Sequence, residues 1–334
     1  MNDARQFLDQ MSAGYQSAIT LLTANHLGLF AALDNGPRTA TQLASELSVD
    51  QRALEILLLA LTAAGVLEQP TPASFTTTED LVPYLAPGGE HSLHSILDHH
   101  YHLLERWGQL ADVVRTGKPA TDTGSPRNDR ALRSFICGMK DISRRSSEEV
   151  ADALPELGRC HRLLDLGGGP GTAAITFCRR WPSLTAVVYD LPEVTPIAQE
   201  EINAVGLTGR VVTMAGDFHI DPILECGDAP FDGIYISNII HSHSPRETSG
   251  LLAKAVGVLD PGGLLVLKDF FLADSRTAPA FGSLFAVNML VGTSGGKSYT
   301  WTETEALLAD LGLIDLQRHT VAVNSGLITA RKSS

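Results

Sequence analysis

The ten residues LLDLGGGPGT, Leu163 to Thr172, decide the fold. A strand, "RLLDLGG", runs into a glycine-rich turn, and "GTAAITFCRRW" leaves it with helical spacing. Glycine at such a junction lets the backbone turn sharply and approach a ligand with no Cβ in the way. The N-terminus of the helix that follows presents free N–H groups. Gly167, Gly169 and Gly171 are spaced G-x-G-x-G, which departs from the G-x-G-x-x-G fingerprint of dinucleotide sites.

Strands and helices alternate beyond the turn. "TAVVYD" is a strand, "EVTPIAQEEINAVG" a helix and "RVVTMAGD" a strand; "FDGIYISNII", a helix from "SPRETSGLLAKAVGVL", and "GGLLVLKDFF" continue the series. This is the signature of an α/β fold with a parallel sheet covered on both faces. The end differs: "GLIDLQRHTVAV" and "GLITARKS" flank the turn "NSG", which predicts a closing antiparallel hairpin. There is no internal repeat or low-complexity tract.

Upstream, Tyr15 to about Leu85 reads as helices followed by a β-hairpin. In "TATQLASELSVDQRALEILLLALTAAGVLEQ" a helix, a turn and a second helix follow one another, with Thr39 or Thr41 capping the first and Asp50 the second. "GVLEQ" and "ASFTTTE", joined by "PTP", complete a winged-helix pattern. Residues 1–90 carry ten acidic side chains against three basic ones, and the would-be recognition helix is apolar on more than one face. Dimerisation suits this segment better than DNA reading. The chain divides by pattern into a winged-helix dimerisation domain, 1–95, a helical bridge, 96–150, and a ligand-binding α/β domain, 151–334.

A 44% hydrophobic and 19% charged chain of 334 residues is that of a soluble globular protein with a sizeable core. Its net charge of −13 argues against a nucleic-acid partner, which needs a basic face. The apolar run within Ile56 to Leu67 is too short to cross a bilayer, and the N-terminus lacks the basic segment and apolar core of a secretory signal. Cys137, Cys160, Cys178 and Cys226 are far apart, with no C-x-x-C pair. A reduced cytoplasmic protein with buried thiols is expected.

Asp190 ends the second strand, 21 residues after Gly169. A carboxylate there can accept from both hydroxyls of a ribose, or cap the helix after it; the two roles are compatible. "AGDF", Ala215 to Phe218, ends the third strand with an acid and an aromatic suited to an adenine amino group and ring face. The stretch "HSLHSILDHHYHLLERWGQL", which leads into the bridge, holds five of the eleven histidines, His91, His94, His99, His100 and His102. His94, Asp98 and His102, at i, i+4 and i+8, share a helix face that could hold a metal. Without an identifiable partner ligand, a polar surface or a pocket lining is the plainer reading.

Together, "LLDLGGGPGT", "VVYDLPEV", "AGDF", "NIIHSHS", "DPGGLLVLKDFFL" and "NMLVGTSGGKSYT" resemble the S-adenosylmethionine-dependent O-methyltransferases of the plant caffeate and hydroxyindole type and their bacterial secondary-metabolism relatives. The resemblance covers nearly the whole chain, since that family also carries an N-terminal winged-helix dimerisation domain. It implies a class I methyltransferase Rossmann-like sheet, a homodimer, and S-adenosylmethionine as cofactor. It places Asp165, Gly167, Gly169, Asp190, Leu191, Gly216, Asp217 and Phe218 at the cofactor, with Ser237 where plant members often have lysine. "FICGM" would set Phe135 and Met139 against an aromatic acceptor, unless they are core. Asn288 interrupts an apolar helix where it could hydrogen-bond that acceptor; His99, His100 and Trp107 are weaker pocket candidates.

"SNIIHSHSP", Ser237 to Pro245, ends a strand with two histidines. Ligands of such sheets bind beyond the carboxyl ends of the strands, where His241 would meet Asp269 at the end of the next strand. A carboxylate beside an imidazole orients the ring and suits it to act as a general base. By resemblance His241 falls on the family's base and Asp269 on an acid, usually Glu, that flanks it. His243 stands where tryptophan is usual and would shape the acceptor pocket. A second family acid is replaced by Ser298. A metal clamp of His241 and His243 would need a third ligand, with Asp217 and His219 already assigned to the nucleoside region, so no metal is expected. Transfer of a methyl group to a hydroxyl of a small aromatic or polycyclic metabolite is the function implied. A C- or N-methyltransferase, or another reaction of the same cofactor, is the alternative; a winged-helix, ligand-responsive regulator is the alternative of a different class.

Overall fold

Short polar side chains open two helices of the N-terminal unit. In the computed structural model, which describes residues 2–89, 91–121, 129–221, 230–321 and 325–334, α1 (Asn2–His26) leads into α2 (Leu29–Leu33). The strand β1 (Arg38–Thr39) precedes α3 (Ala40–Leu47) and α4 (Gln51–Ala63). Thr39, not Thr41, caps α3: its hydroxyl accepts from the Gln42 N–H at 3.2 Å, and Gln42 Oε1 accepts from the Thr39 N–H at 2.8 Å. Two donors at the start of the helix are satisfied reciprocally. Asp50 caps α4 through the Ala53 N–H at 2.8 Å.

The wing follows as β2 (Leu67–Thr71) and β3 (Ser74–Thr77), antiparallel, in the order β1-β3-β2. Pro70 lies inside β2 instead of in the connecting turn; β2 is the edge strand, where a residue without an N–H is tolerated. Leu54, Leu58 and Leu61 of α4 are buried, while Ile56 and Leu59 on its other face are exposed. α1 likewise exposes Phe7, Leu8, Met11 and Tyr15, an apolar stripe at helical spacing of the kind that docks on a partner surface.

Then come α5 (Val82–Leu85), α6 (His94–Trp107), α7 (Leu110–Thr116) and α8 (Asp129–Ala153). The chain forms two compact units, Met1–Leu104 and Glu105–Ser334. The stretch 96–150 is thus shared, most of α6 with the first unit and α7 and α8 with the second.

The second unit runs β4 (Arg162–Leu166), α9 (Thr172–Arg180), β5 (Thr185–Asp190), α10 (Thr195–Ala204), β6 (Val211–Ala215) and β7 (Phe231–Ser237). It continues with α11 (Pro245–Val258), β8 (Leu259–Asp269), α12 (Ala280–Gly292), α13 (Trp301–Asp310), β9 (Leu313–Val321) and β10 (Ser325–Lys332). Among the described residues the sheet has the order β6-β5-β4-β7-β8-β10-β9. The first five are parallel; β10 is antiparallel to both β8 and β9. The closing hairpin therefore inserts its second strand beside β8, and its tip, residues 322–324, lies outside the described residues.

Burial on both faces explains the near-continuous apolar runs of β4, β5, β7 and β8. Leu163, Val188, Tyr235 and Val266 pack on one side with Val150, Phe177 and Cys178. Leu164, Val187, Ile236 and Leu267 pack on the other with Leu251, Leu252 and Leu308. Burial pushes the Cys160 and Cys178 thiols up to about 12 and about 11, which keeps them unreactive. Cys137 is half-buried, and Cys226 lies outside the described residues. No helix among them is long and apolar enough to cross a membrane. From β4 the chain steps one way to β5 and β6 and the other way to β7 and β8. That reversal opens a crevice beyond the strand ends, where ligands of such sheets bind.

Candidate active site

The turn after β4 is built for close approach. Gly167 has φ +68°, and a Cβ there would lie 2.5 Å from Ile239 Cδ1. The positive φ favours glycine, and any side chain would also have to displace the tip of Ile239. Gly169, at φ +54°, has open space where a Cβ would point, and its N–H donates to Asp190 Oδ2 at 2.7 Å. Asp190 Oδ1 accepts from the Leu191 N–H at 2.7 Å. The carboxylate caps no helix, since α10 begins at Thr195 after Val194. It ties the glycine turn to the end of β5, and with about four acceptor positions it retains capacity for two ligand hydroxyls. Burial pushes its carboxyl up, and the two N–H bonds pull against that shift.

Gly216 follows β6 and donates to the Asp190 carbonyl at 2.9 Å; a Cβ there would meet the Tyr189 hydroxyl. Asp217 Oδ1 accepts from the His219 N–H at 2.8 Å. The Phe218 ring reaches to 3.9 Å from where a Cβ on Gly167 would be, so it stands beside the glycine turn. Gly167, Gly169, Asp190, Leu191, Gly216, Asp217, Phe218 and Ser237 are all half-buried at neighbouring strand ends.

Asp165 is different. It is 2% exposed and accepts from the Ala174 N–H at 3.2 Å, and a Cβ on Gly168 would lie 2.8 Å from its Cγ. It therefore lies beneath the loop, fastening it to the first turn of α9, and does not face the crevice. Burial holds its carboxyl up at about 7. Across the window from about 4, its ordinary value, to that raised one, the folded state keeps a proton that the unfolded chain releases. Stability contributed by the protonated form is full below the window and lost as pH rises through it. Asp165→Asn retains the acceptor for Ala174 and removes this loss. Thermal unfolding without ligand is expected to favour the variant at pH about 8, by up to about 4 kcal/mol, with the advantage shrinking toward pH about 5.

His241 sits in the short turn after β7, 7% exposed, and Asp269 ends β8, 3% exposed. Parallel pairing of β7 with β8 brings them together: His241 Nδ1 is 2.7 Å from Asp269 Oδ1. The same carboxylate accepts from the Phe270 N–H at 2.7 Å and the His241 N–H at 3.4 Å. With Nδ1–H given to the carboxylate, Nε2 carries the ring's lone pair. Phe285 meets the imidazole edge-on at 4.8 Å between centroids, and Phe270 stacks on it at 5.9 Å. Phe281 joins Phe270 at 5.2 Å. These three rings were not singled out in the sequence; the i, i+4 spacing of Phe281 and Phe285 on α12 was the signal that could have found them.

His243 keeps other company. Its ring is 4.6 Å from His219 and 5.6 Å from Phe218, and burial beside His219 pushes it down to about 4. It groups with the cofactor candidates more than with the aromatic cluster at His241. Asn288, on α12, accepts from Trp107 Nε1 at 3.0 Å, which joins two of the predicted pocket residues. Phe135, 40% exposed, and the half-buried Met139 share a face of α8 outside the core clusters. Ser298 is buried, its hydroxyl donating to the Gly282 carbonyl at 2.9 Å. Lys268, passed over in the sequence, is also buried, and desolvation pushes its ammonium down to about 8.

Comparison with known proteins shows the family to which the chain belongs. Residues 107–313 match the O-methyltransferase domain and residues 10–80 the O-methyltransferase dimerisation domain. The chain is 32% identical to a 3-hydroxy-5-methyl-1-naphthoate 3-O-methyltransferase of Streptomyces sahachiroi, over 93% of this chain and 90% of that one. It is 27% identical to the tetracenomycin polyketide synthesis 8-O-methyl transferase of Streptomyces glaucescens, over 97% and 95%. Human N-acetylserotonin methyltransferase, solved in complex with S-adenosylmethionine, superposes with a TM-score of 0.89 at 25% identity, covering 99% of this chain and 98% of that one. A glycine turn, a strand-end carboxylate with spare acceptor positions and an adjacent aromatic ring fit the nucleoside half of that cofactor. The chain belongs to the S-adenosylmethionine-dependent O-methyltransferases, as an enzyme that uses S-adenosylmethionine and carries the family's dimerisation domain.

Proposed function

We propose that the protein transfers a methyl group to a hydroxyl of a small aromatic or polycyclic metabolite, as a cytoplasmic homodimer, with His241 as general base held by Asp269. The observation that supports this most is the buried contact of 2.7 Å between His241 Nδ1 and Asp269 Oδ1, with phenyl rings around the imidazole. The naphthoate and polyketide substrates in the relatives' names fit the same acceptor chemistry.

Bound S-adenosylmethionine supplies a methyl group on a sulfonium whose leaving group is a neutral thioether. The residues that would hold it are Gly167, Gly169, Asp190, Leu191, Gly216, Asp217, Phe218 and Ser237. What remains for the protein is alignment of the acceptor and removal of its proton. A phenol, with a reference pKa of about 10, is almost wholly protonated near neutrality. His241 Nε2 takes that proton as attack proceeds, and the Asp269 carboxylate stabilises the imidazolium that results. Phe270, Phe281 and Phe285 offer flat apolar faces against which an aromatic acceptor can lie. Phe135, Met139 and Asn288 extend that pocket in the same reading, and His243 borders it from the cofactor side.

Mass spectrometry of products from a panel of phenols and fused-ring hydroxy acids, with labelled cofactor, tests the assignment. Methyl groups on oxygen are expected; methylation of carbon or nitrogen alone would overturn it. Ser298 bears on the same chemistry. It is buried, and its hydroxyl donates to the Gly282 carbonyl, a bond a carboxylate cannot make, so Ser298→Glu is expected to cost about 2 kcal/mol or more in stability without speeding transfer. Thermal unfolding alongside turnover checks this.

A further inference from the structure

His94, Asp98 and His102 share a face of α6, yet His94 is engaged elsewhere. Its Nδ1 lies 3.0 Å from Asn25 Oδ1, and its carbonyl accepts from Asn25 Nδ2 at 3.0 Å. Its place beside Asp98 is taken by His26, the last residue of α1, whose Nδ1 is 2.9 Å from Asp98 Oδ1. His102 Nε2 lies 3.6 Å from Asp98 Oδ2. One ligand atom from each of His26, Asp98 and His102 lies within 4.8 Å of the others. We propose that these three side chains bind a divalent transition-metal ion of the zinc class, with a fourth position open to water.

The donor set favours that class. Two imidazole nitrogens and one carboxylate oxygen suit zinc and its first-row neighbours, whereas magnesium and calcium take oxygen ligands. The geometry is close to what such an ion needs. Tetrahedral bonds of about 2.0–2.1 Å set ligand atoms about 3.4 Å apart; His26 Nδ1 is 2.9 Å from one Asp98 oxygen and His102 Nε2 3.6 Å from the other. Part of the site is already fixed. The Tyr101 ring stacks on His26 with centroids 4.0 Å apart and planes 11° from parallel, which holds the imidazole with Nδ1 toward Asp98. Asp98 and His102 present their ligands from successive turns of one helix, as residues four apart do. The His102 side chain is 52% exposed, so an ion can enter and the ring can swing the short way needed.

The ion would join α1 to α6 across 72 residues of chain, and so would stabilise the first unit by mass action. The alternative is that Asp98 is only a hydrogen-bonding hub for two histidines. Tag-free, metal-stripped, full-length protein is titrated with zinc chloride by calorimetry, and with cobalt chloride by visible absorption. One ion per chain is expected, with micromolar affinity and the visible bands of tetrahedral cobalt. His102→Gln and Asp98→Asn are each expected to weaken binding about tenfold or more, on the scale of losing one ligand. Zinc is expected to raise the Tm of the parent protein but not that of His102→Gln, and magnesium to change neither. His91→Gln, outside the group, is expected to bind zinc like the parent. His102 is exposed, so an unchanged Tm without metal establishes that its variant folds. Absence of stoichiometric binding, or binding that survives both His102→Gln and His26→Gln, would overturn the proposal.

Discussion

Replacing His241 with alanine is expected to lower kcat by about 10²- to 10⁴-fold, the span typical of losing a general base. Affinity for S-adenosylhomocysteine, measured by calorimetry, is expected to stay as it was, because the ring packs in the phenyl cluster of Phe270 and Phe285. The size of the defect should depend on the acceptor. A phenol carrying electron-withdrawing groups gives up its proton more readily and relies less on the base, so the loss should shrink along a series of increasingly acidic phenols. Added imidazole should restore part of the rate in the alanine variant. Asp269→Asn is the companion test, since asparagine can still accept from the Phe270 N–H that the carboxylate holds at 2.7 Å. It is expected to lower kcat by about 10²-fold or more, because the imidazolium loses its anion and the ring its enforced tautomer. Equal turnover by His241→Ala on a weakly acidic phenol would sink the base assignment.

Much of this arrangement was legible in the sequence, for reasons that differ by residue. The alternation from "RLLDLGG" to "GGLLVLKDFF" fixed the order of elements because buried parallel strands and covering helices have distinct periods. The meeting of His241 and Asp269 followed from placing both at the ends of neighbouring strands. Three kinds of feature escaped. That Asp165 lies under the loop depends on where its side chain turns, and alternation along a strand does not say which residues lie closed over by the turn above. The phenyl cluster of Phe270, Phe281 and Phe285 depends on how α12 returns over the end of β8; the i, i+4 spacing of Phe281 and Phe285 marks a shared helix face but not the ring it meets. His26 is 72 residues from Asp98, and nothing in the spacing of α6 pointed to a histidine at the end of α1. The reading of Asp190 as a helix cap failed because α10 starts five residues later, at Thr195.

Asp190→Ala is expected to weaken binding of S-adenosylmethionine and S-adenosylhomocysteine by about 10²- to 10⁴-fold. Hydrogen bonds to a charged group are worth about 1.5–3 kcal/mol each, and two ribose hydroxyls would be lost together. Calorimetric titration reads this directly. The result also separates two roles that the structure combines in one carboxylate. If Asp190 served only to fasten Gly169 and Leu191, the variant would unfold at lower temperature while still binding the cofactor once folded. Asp190→Asn narrows the choice further: its single oxygen can keep one backbone donor, while its NH2 group, a donor only, cannot accept from a ribose hydroxyl as the second carboxylate oxygen can. A variant that folds like the parent and binds like alanine therefore assigns the loss to the ligand. The acid's own protonation supplies an independent check. Burial raises its carboxyl above the ordinary range, and ribose donors favour the charged form, so a bound nucleoside pulls the raised value back down. Cofactor affinity of the parent is thus expected to fall as pH drops through the raised range of the free protein, because the proton must leave before the hydroxyls can be accepted. In Asp190→Asn that dependence should vanish along with most of the affinity, whereas a carboxylate that never touched the cofactor would leave the pH dependence in place.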